Sequence, residues 1–146
     1  MDKIITNQSE EGLKILRTIS KKTNEEEIEK LNLVNRLKEA NQDGWTTGCG
    51  LSAIQIGVPL RMAYLNFSGK EEILINPEIV CAIGKIMWKE GCLSIPDVWI
   101  DIERKYEIEY ISNGKKKKAK HVKAIAIQHE IDHMNGILII DKEKRS

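Results

Sequence analysis

What this chain lacks narrows it first. Its three cysteines, Cys49, Cys81 and Cys92, are odd in number, widely spaced and free of any CxxC pair. That argues against a disulfide framework and for a reducing compartment. An excess of charge of one sign is missing too. With 23 basic and 22 acidic residues the formal net charge is +1, so no general attraction to nucleic acid or an anionic membrane is expected. No apolar run approaches the ~20 residues that span a bilayer. The amino terminus has no apolar segment of signal-peptide length. The expected location is the cytoplasm, with no membrane partner. No internal repeat or low-complexity linker divides the 146 residues, so a single domain, 1–146, is expected. A chain of this size buries roughly 70% of its unfolded surface, enough for a core without covalent staples.

What is present reads as helices, then strands, then one more helix. Residues 9 to 20 can form a short helix with Leu13, Leu16 and Ile19 on one side and Ile15 at its margin. A second helix is predicted from Thr23 or Asn24, where a capping residue and three acids precede Ile28, Leu31, Val34 and Leu37 at helical spacing. "QDGWTTGCG" breaks that pattern. "RMAYLNF", "EEILINPEIV" and "GKIMWKEGCLSIP" read as strands. In "YEIEYISNGKKKKAKH", Tyr106, Ile108, Tyr110 and Ser112 share one face, and Asn113-Gly114 signals a type I′ hairpin. The run Lys115 to Lys118 reads as a solvated return strand guarded from edge pairing by its lysines. The rival reading, a nucleic-acid patch, is disfavoured by the near-zero net charge.

The most informative stretch is "AIAIQHEIDHMNGILII", residues 124–140. Val122, Ile125, Ala126, His129 and His133 recur at helical spacing, and Gly136 is a plausible stop. Residues four apart on a helix lie within about 40° of each other, so both imidazoles can reach one divalent cation. Two buried histidines without partners would be costly, which strengthens the reading of His-Glu-x-x-His as a metal motif. Glu130 and Asp132 flank the histidine face almost symmetrically, each about 80° away, and helical geometry does not choose between them. A catalytic zinc usually has three protein ligands. His121 points about 80° away, and beyond the helix only Asp141 and Glu143 remain. The candidate third ligand is upstream, in "EGCLSIP": Cys92, although a lone cysteine is more often a small buried hydrophobe.

Three segments together carry a resemblance. "GCGLSAIQIG" (48–57), "EGCLSIP" (90–96) and "QHEIDHMNG" (128–136) resemble, in order and spacing, the signature segments of peptide deformylases, with Arg104 in the matching place after the cysteine loop. The resemblance implies an α+β fold, with antiparallel sheets packed around the helix that carries the histidines. It implies removal of the formyl group from the initiator methionine of new polypeptides, with release of formate. It assigns one divalent ion to Cys92, His129 and His133: Fe²⁺ physiologically, with Zn²⁺, Ni²⁺ or Co²⁺ as substitutes. It makes Glu130 the general acid/base, with Gln55 and the backbone N–H of Leu93 on the formyl oxygen. For Gln55 this replaces the plainer reading of an exposed loop residue. Gly48, Cys49, Gly50, Leu51, Glu90 and Gly91 become the implied contacts for a formyl-methionyl peptide. Asp132 is then a supporting carboxylate, paired with Arg104 or a histidine ring N–H.

Some positions depart from the family pattern. Ser52 stands where alanine is common, a change expected to leave the chemistry alone. Trp99 replaces a polar or basic residue, so outer substrate contacts should differ. The carboxy-terminal helix used by some members for ribosome docking has no counterpart, so docking is not expected to carry over. A monomer is expected. The rivals are a zincin-type endopeptidase, which needs a downstream third ligand, and a metal-stabilised binding protein without turnover.

Overall fold

The computed structural model describes residues 1–41 and 50–143. Helix α1 spans Glu10–Leu16, its first turn capped by the Ser9 side chain, which accepts from the Gly12 N–H at 2.9 Å. It stops well short of residue 20. The Lys21 N–H donates to Pro59 O and the Ser20 N–H to Met134 O, so this backbone is held by distant segments rather than by a further helical turn. Ile19, expected on the buried side, is 69% exposed as a result.

The second predicted helix is two. Helix α2 spans Glu25–Lys30, with Asn24 accepting from the Glu27 N–H, and α3 spans Leu33–Asn41. Between them Asn32 has φ 52°, a left-handed conformation that asparagine tolerates better than most residues. The break changes which side chains are buried. Leu33 and Leu37 enter the core fully, while Leu31 is left exposed.

Strands β1 (Gly50–Ser52), β2 (Met62–Phe67) and β3 (Lys70–Ile75) form one antiparallel sheet in that order. Strands β4 (Glu78–Cys92), β5 (Ile95–Ser112) and β6 (Lys115–Lys120) form the other. "EEILINPEIV" is divided between the two sheets. Asn76, at φ 48°, and Pro77 make the turn, and Asn76 is clamped to the Thr23 backbone by two side-chain hydrogen bonds. Asn113-Gly114 forms the predicted two-residue turn, both residues having positive φ, with Ser112 opposite Lys115. Lys116 and Lys118 pair with Glu109, and Lys117 approaches Glu72. These lysines belong to a solvated strand.

Helix α4 (Val122–Met134) lies against strands of both sheets. Its apolar residues are buried on several sides, which explains why the sequence there is apolar almost all round. One core packs α2 and α3 onto the first sheet through Leu33, Leu37, Leu51 and Tyr64. A second joins both sheets to α4 through Leu65, Leu74, Ile108, Tyr110 and Ile127. A third gathers Leu16, Ile95, Ile102 and Leu138. The architecture is the expected α+β arrangement of antiparallel sheets around the histidine helix. Among the described residues no helix is long and apolar enough to cross a membrane.

Candidate metal centre

Two elements meet here. The α4 periodicity brings His129 Nε2 within 3.2 Å of His133 Nε2. The last residue of β4 sets Cys92 Sγ 3.3 Å from His133 Nε2. Among the described residues these three form the group able to hold a metal ion, with donor atoms all within 4.8 Å of one another. A tetrahedral ion with nitrogens at about 2.0–2.1 Å and sulfur at about 2.3 Å separates N from N by about 3.3 Å, and S from N by about 3.6 Å. The donor set and its spacing therefore fit one divalent ion.

The surrounding charges prepare the donors. Burial opposes ionisation of Cys92, yet the His133 and His129 imidazoles hold its thiol well below the usual value. Burial likewise disfavours charge on His129, but Cys92 and Glu90 raise it. A divalent cation would take over the imidazolium's part, since ligation needs thiolate and neutral imidazole. His129 Nδ1 lies 2.8 Å from Glu90 Oε1, which directs its Nε2 toward the other donors. Arg104 donates Nε and Nη2 to Glu90 at 2.6 and 2.8 Å, and Nη1 to Asp132 Oδ2 at 2.6 Å. Burial would raise the Glu90 pKa, but Arg104 and His129 outweigh it and bring it down to about 2.

That network separates the two carboxylates that helical angles left equivalent. Asp132 faces Arg104, while Glu130 faces β1. Glu130 is 3% exposed, and its Oε1 accepts from Ser52 Oγ at 2.9 Å. Burial pushes its carboxyl above the usual value, against the pull of His129, His133 and the Ser52 bond. A Cβ on Gly50 would sit 2.6 Å from Leu65 Cδ2, 2.9 Å from Tyr64 O and 3.0 Å from Glu130 Oε2, so the glycine lets this strand pass close to both its neighbour and the carboxylate.

Gln55 is buried, in a 3-10 turn (Ala53–Ile56). Its Oε1 accepts from the Ser52 N–H at 2.9 Å. Its Nε2 donates to Ser94 Oγ at 3.0 Å and lies 3.6 Å from Cys92 Sγ. The amide nitrogen thus faces the cysteine. Leu93 follows Cys92 in the bend between β4 and β5, its side chain packed on the first core.

Two implied substrate contacts have side chains engaged elsewhere. The Glu90 carboxylate is engaged by Arg104 and His129, so it supports the donors and does not reach outward. The Leu51 side chain is fully buried in the core, because alternate residues of a strand point to opposite sides. Gly91 carries the Trp99 ring so closely that a Cβ would lie 2.6 Å from Cζ3, and Trp99 remains 49% exposed. Gly48 and Cys49 lie outside the described residues. Sequence reasoning missed Ser94 and the bond from Ser52 to Glu130. A partner 78 positions away leaves no local signal.

The polypeptide deformylase family model matches residues 1–146. The chain belongs to the polypeptide deformylase family. It is 40% identical over 147 residues to a peptide deformylase of Helicobacter pylori (strain Shi470), covering 88% of this chain and 80% of the relative. A peptide deformylase structure from Legionella pneumophila superposes with a TM-score of 0.86 at 30% identity, covering 99% of this chain and 86% of that one. One from Thermotoga maritima gives a TM-score of 0.86 at 28% identity, covering 99% of both chains. As a deformylase, the chain is a hydrolase of protein biosynthesis that removes the N-formyl group from nascent polypeptides, and the family is metal-dependent.

Proposed function

We propose that this deformylase holds one divalent ion with Cys92, His129 and His133, uses Glu130 as its acid/base, and stabilises the formyl oxygen with Gln55 Nε2 and the Leu93 N–H. The observation that carries the reading is the convergence of one sulfur and two imidazole nitrogens beside a buried glutamate. A bound ion would supply Lewis acidity and lower the pKa of water toward neutrality. Glu130 takes a proton from water as the water oxygen bonds to the formyl carbon. It returns that proton to the amide nitrogen as the C–N bond breaks, giving a free amine and formic acid, which ionises to formate as its proton passes to the amine or to solvent. Oxygen charge that develops on the way is met by the Gln55 and Leu93 donors. Strand β1 pairs only with β2 among the described residues, so its outer edge suits a substrate backbone as an added strand.

A thiolate with two imidazoles suits a borderline-soft ion, and we assign Fe²⁺ as the working metal, with Zn²⁺, Ni²⁺ or Co²⁺ able to replace it. All named groups come from one chain, so a monomer suffices. Cys92 must stay reduced, and the substrate is made where translation occurs; the cytoplasm meets both needs. The endopeptidase rival needs a ligand downstream of the helix, whereas the third donor found among the described residues is upstream. The test is formate release from a formyl-methionyl peptide by protein purified anaerobically with Fe²⁺. Rapid release, with the acetylated peptide left intact, is expected. Internal peptide cleavage without formate would overturn the assignment.

A further inference from the structure

The Ser52 hydroxyl joins the acid/base to the first sheet, at a position the family pattern commonly fills with alanine; this contact departs from the expectation that the serine leaves the chemistry alone. We infer that Ser52 is a positioning residue for Glu130, fixing Oε1 as a permanent acceptor so that Oε2 alone carries the shuttled proton. The inference rests on the assignment of Glu130 as acid/base.

Three observations support it. Ser52 is fully buried, and its Oγ lies 2.9 Å from Glu130 Oε1, closer than the 3.3 Å to the Glu130 carbonyl oxygen. The second carboxylate oxygen faces Gly50, where a Cβ would come within 3.0 Å of it, so Oε2 sits against the strand proposed to receive the peptide. Glu130 is only 3% exposed, so bulk solvent offers little to replace the hydrogen bond if the hydroxyl is removed. A hydroxyl can donate to a carboxylate and, more weakly, to the C=O oxygen of the protonated acid. Oε1 is therefore occupied in both states, and the proton is taken up and given back at one oxygen. Placement of a reacting group is costly to lose, a misplacement of about 1 Å being worth up to 10²-fold.

The Ser52 backbone has a separate task. Its N–H holds Gln55 Oε1 at 2.9 Å, which leaves Nε2 to point at Cys92 and Ser94. Substitution of the side chain keeps that N–H, so the two effects are separable by mutation. Ala63 stands opposite Ser52 across the sheet.

The experiment compares Ser52→Ala, Ser52→Cys and Ser52→Thr with the wild type at equal metal content, on a formyl-methionyl peptide. Ser52→Ala should lower kcat roughly 10–100-fold with KM little changed. Ser52→Cys keeps the shape but offers only a weak donor, so it should behave as Ser52→Ala does and hold the test if the alanine variant fails to fold. Ser52→Thr, which keeps the hydroxyl, should recover most of the rate. On a Glu130→Ala background Ser52→Ala should cost nothing further. In melts of metal-free protein the two substitutions should likewise be non-additive. Wild-type kcat in Ser52→Ala or Ser52→Cys, or an undiminished loss on the Glu130→Ala background, would overturn the inference. An active Glu130→Ala enzyme would instead remove the acid/base assignment, which is a distinguishable result.

Discussion

Glu130 and Asp132 are two residues apart on one helix and have opposite surroundings. Asp132 holds Arg104, which holds Glu90, which orients His129. Glu130 touches Ser52 and no cationic side chain of lysine or arginine type in the described network. Glu130→Ala should therefore retain the ion and lose several orders of magnitude in turnover. Asp132→Ala should lower metal affinity or melting temperature more than turnover per bound metal. Metal content, Tm and kcat measured on both variants decide this. An inactive, fully metallated and stable Asp132→Ala would reverse the two roles. Gln55→Ala removes one donor from the developing oxyanion, for which a roughly 10²–10³-fold loss in kcat is expected with metal content unchanged. Unaltered kinetics would take Gln55 out of the mechanism.

At the scale of elements, Glu72 couples pieces distant in sequence. From β3 it accepts from Tyr110 Oη of β5 at 2.7 Å and pairs with Lys123 of α4 at 2.8 Å, with Lys117 of β6 at 3.8 Å. Burial alone would raise its pKa, but the bonds from Lys123 and Tyr110 bring it below the usual 4.5. A carboxylate depressed in the folded state stabilises the fold above its unfolded pKa, and that contribution is lost as pH falls through the folded value. Wild-type Tm should accordingly fall more steeply below about pH 4.5 than that of Glu72→Gln. Parallel Tm profiles for the two proteins would show that the pairing adds nothing. The carboxyl end of α4 is held as well. Arg61 donates to Met134 O at 3.1 Å and to Asn135 Oδ1 at 2.9 Å, a cation placed where the helix dipole favours one.

For the whole molecule, the ion would act as a cross-link, since its ligands come from β4 and α4. A ligand that binds only the folded chain at 100-fold over its Kd adds about 2.7 kcal/mol. For a chain of this size that is a shift in Tm of roughly 5–10 °C. Chelation should produce that loss in the wild type and little in Cys92→Ala, which should already lack most of its metal. Full occupancy of Cys92→Ala would place the third ligand elsewhere. The sequence by itself determined the pairing of His129 with His133, because helical periodicity is local and repeats every 3.6 residues. It also determined a helix start at Thr23 or Asn24, of which Asn24 is the cap, and the Asn113-Gly114 turn, all of which depend on residues within four positions. Motif order supplied Cys92 and Gln55. Only the tertiary structure decided that Glu130 meets Ser52 while Asp132 meets Arg104, that Glu90 supports His129, and that the chain breaks at Asn32. Each depends on a surface brought from elsewhere in the chain, and packing between distant elements leaves no periodic trace in the residues that receive it.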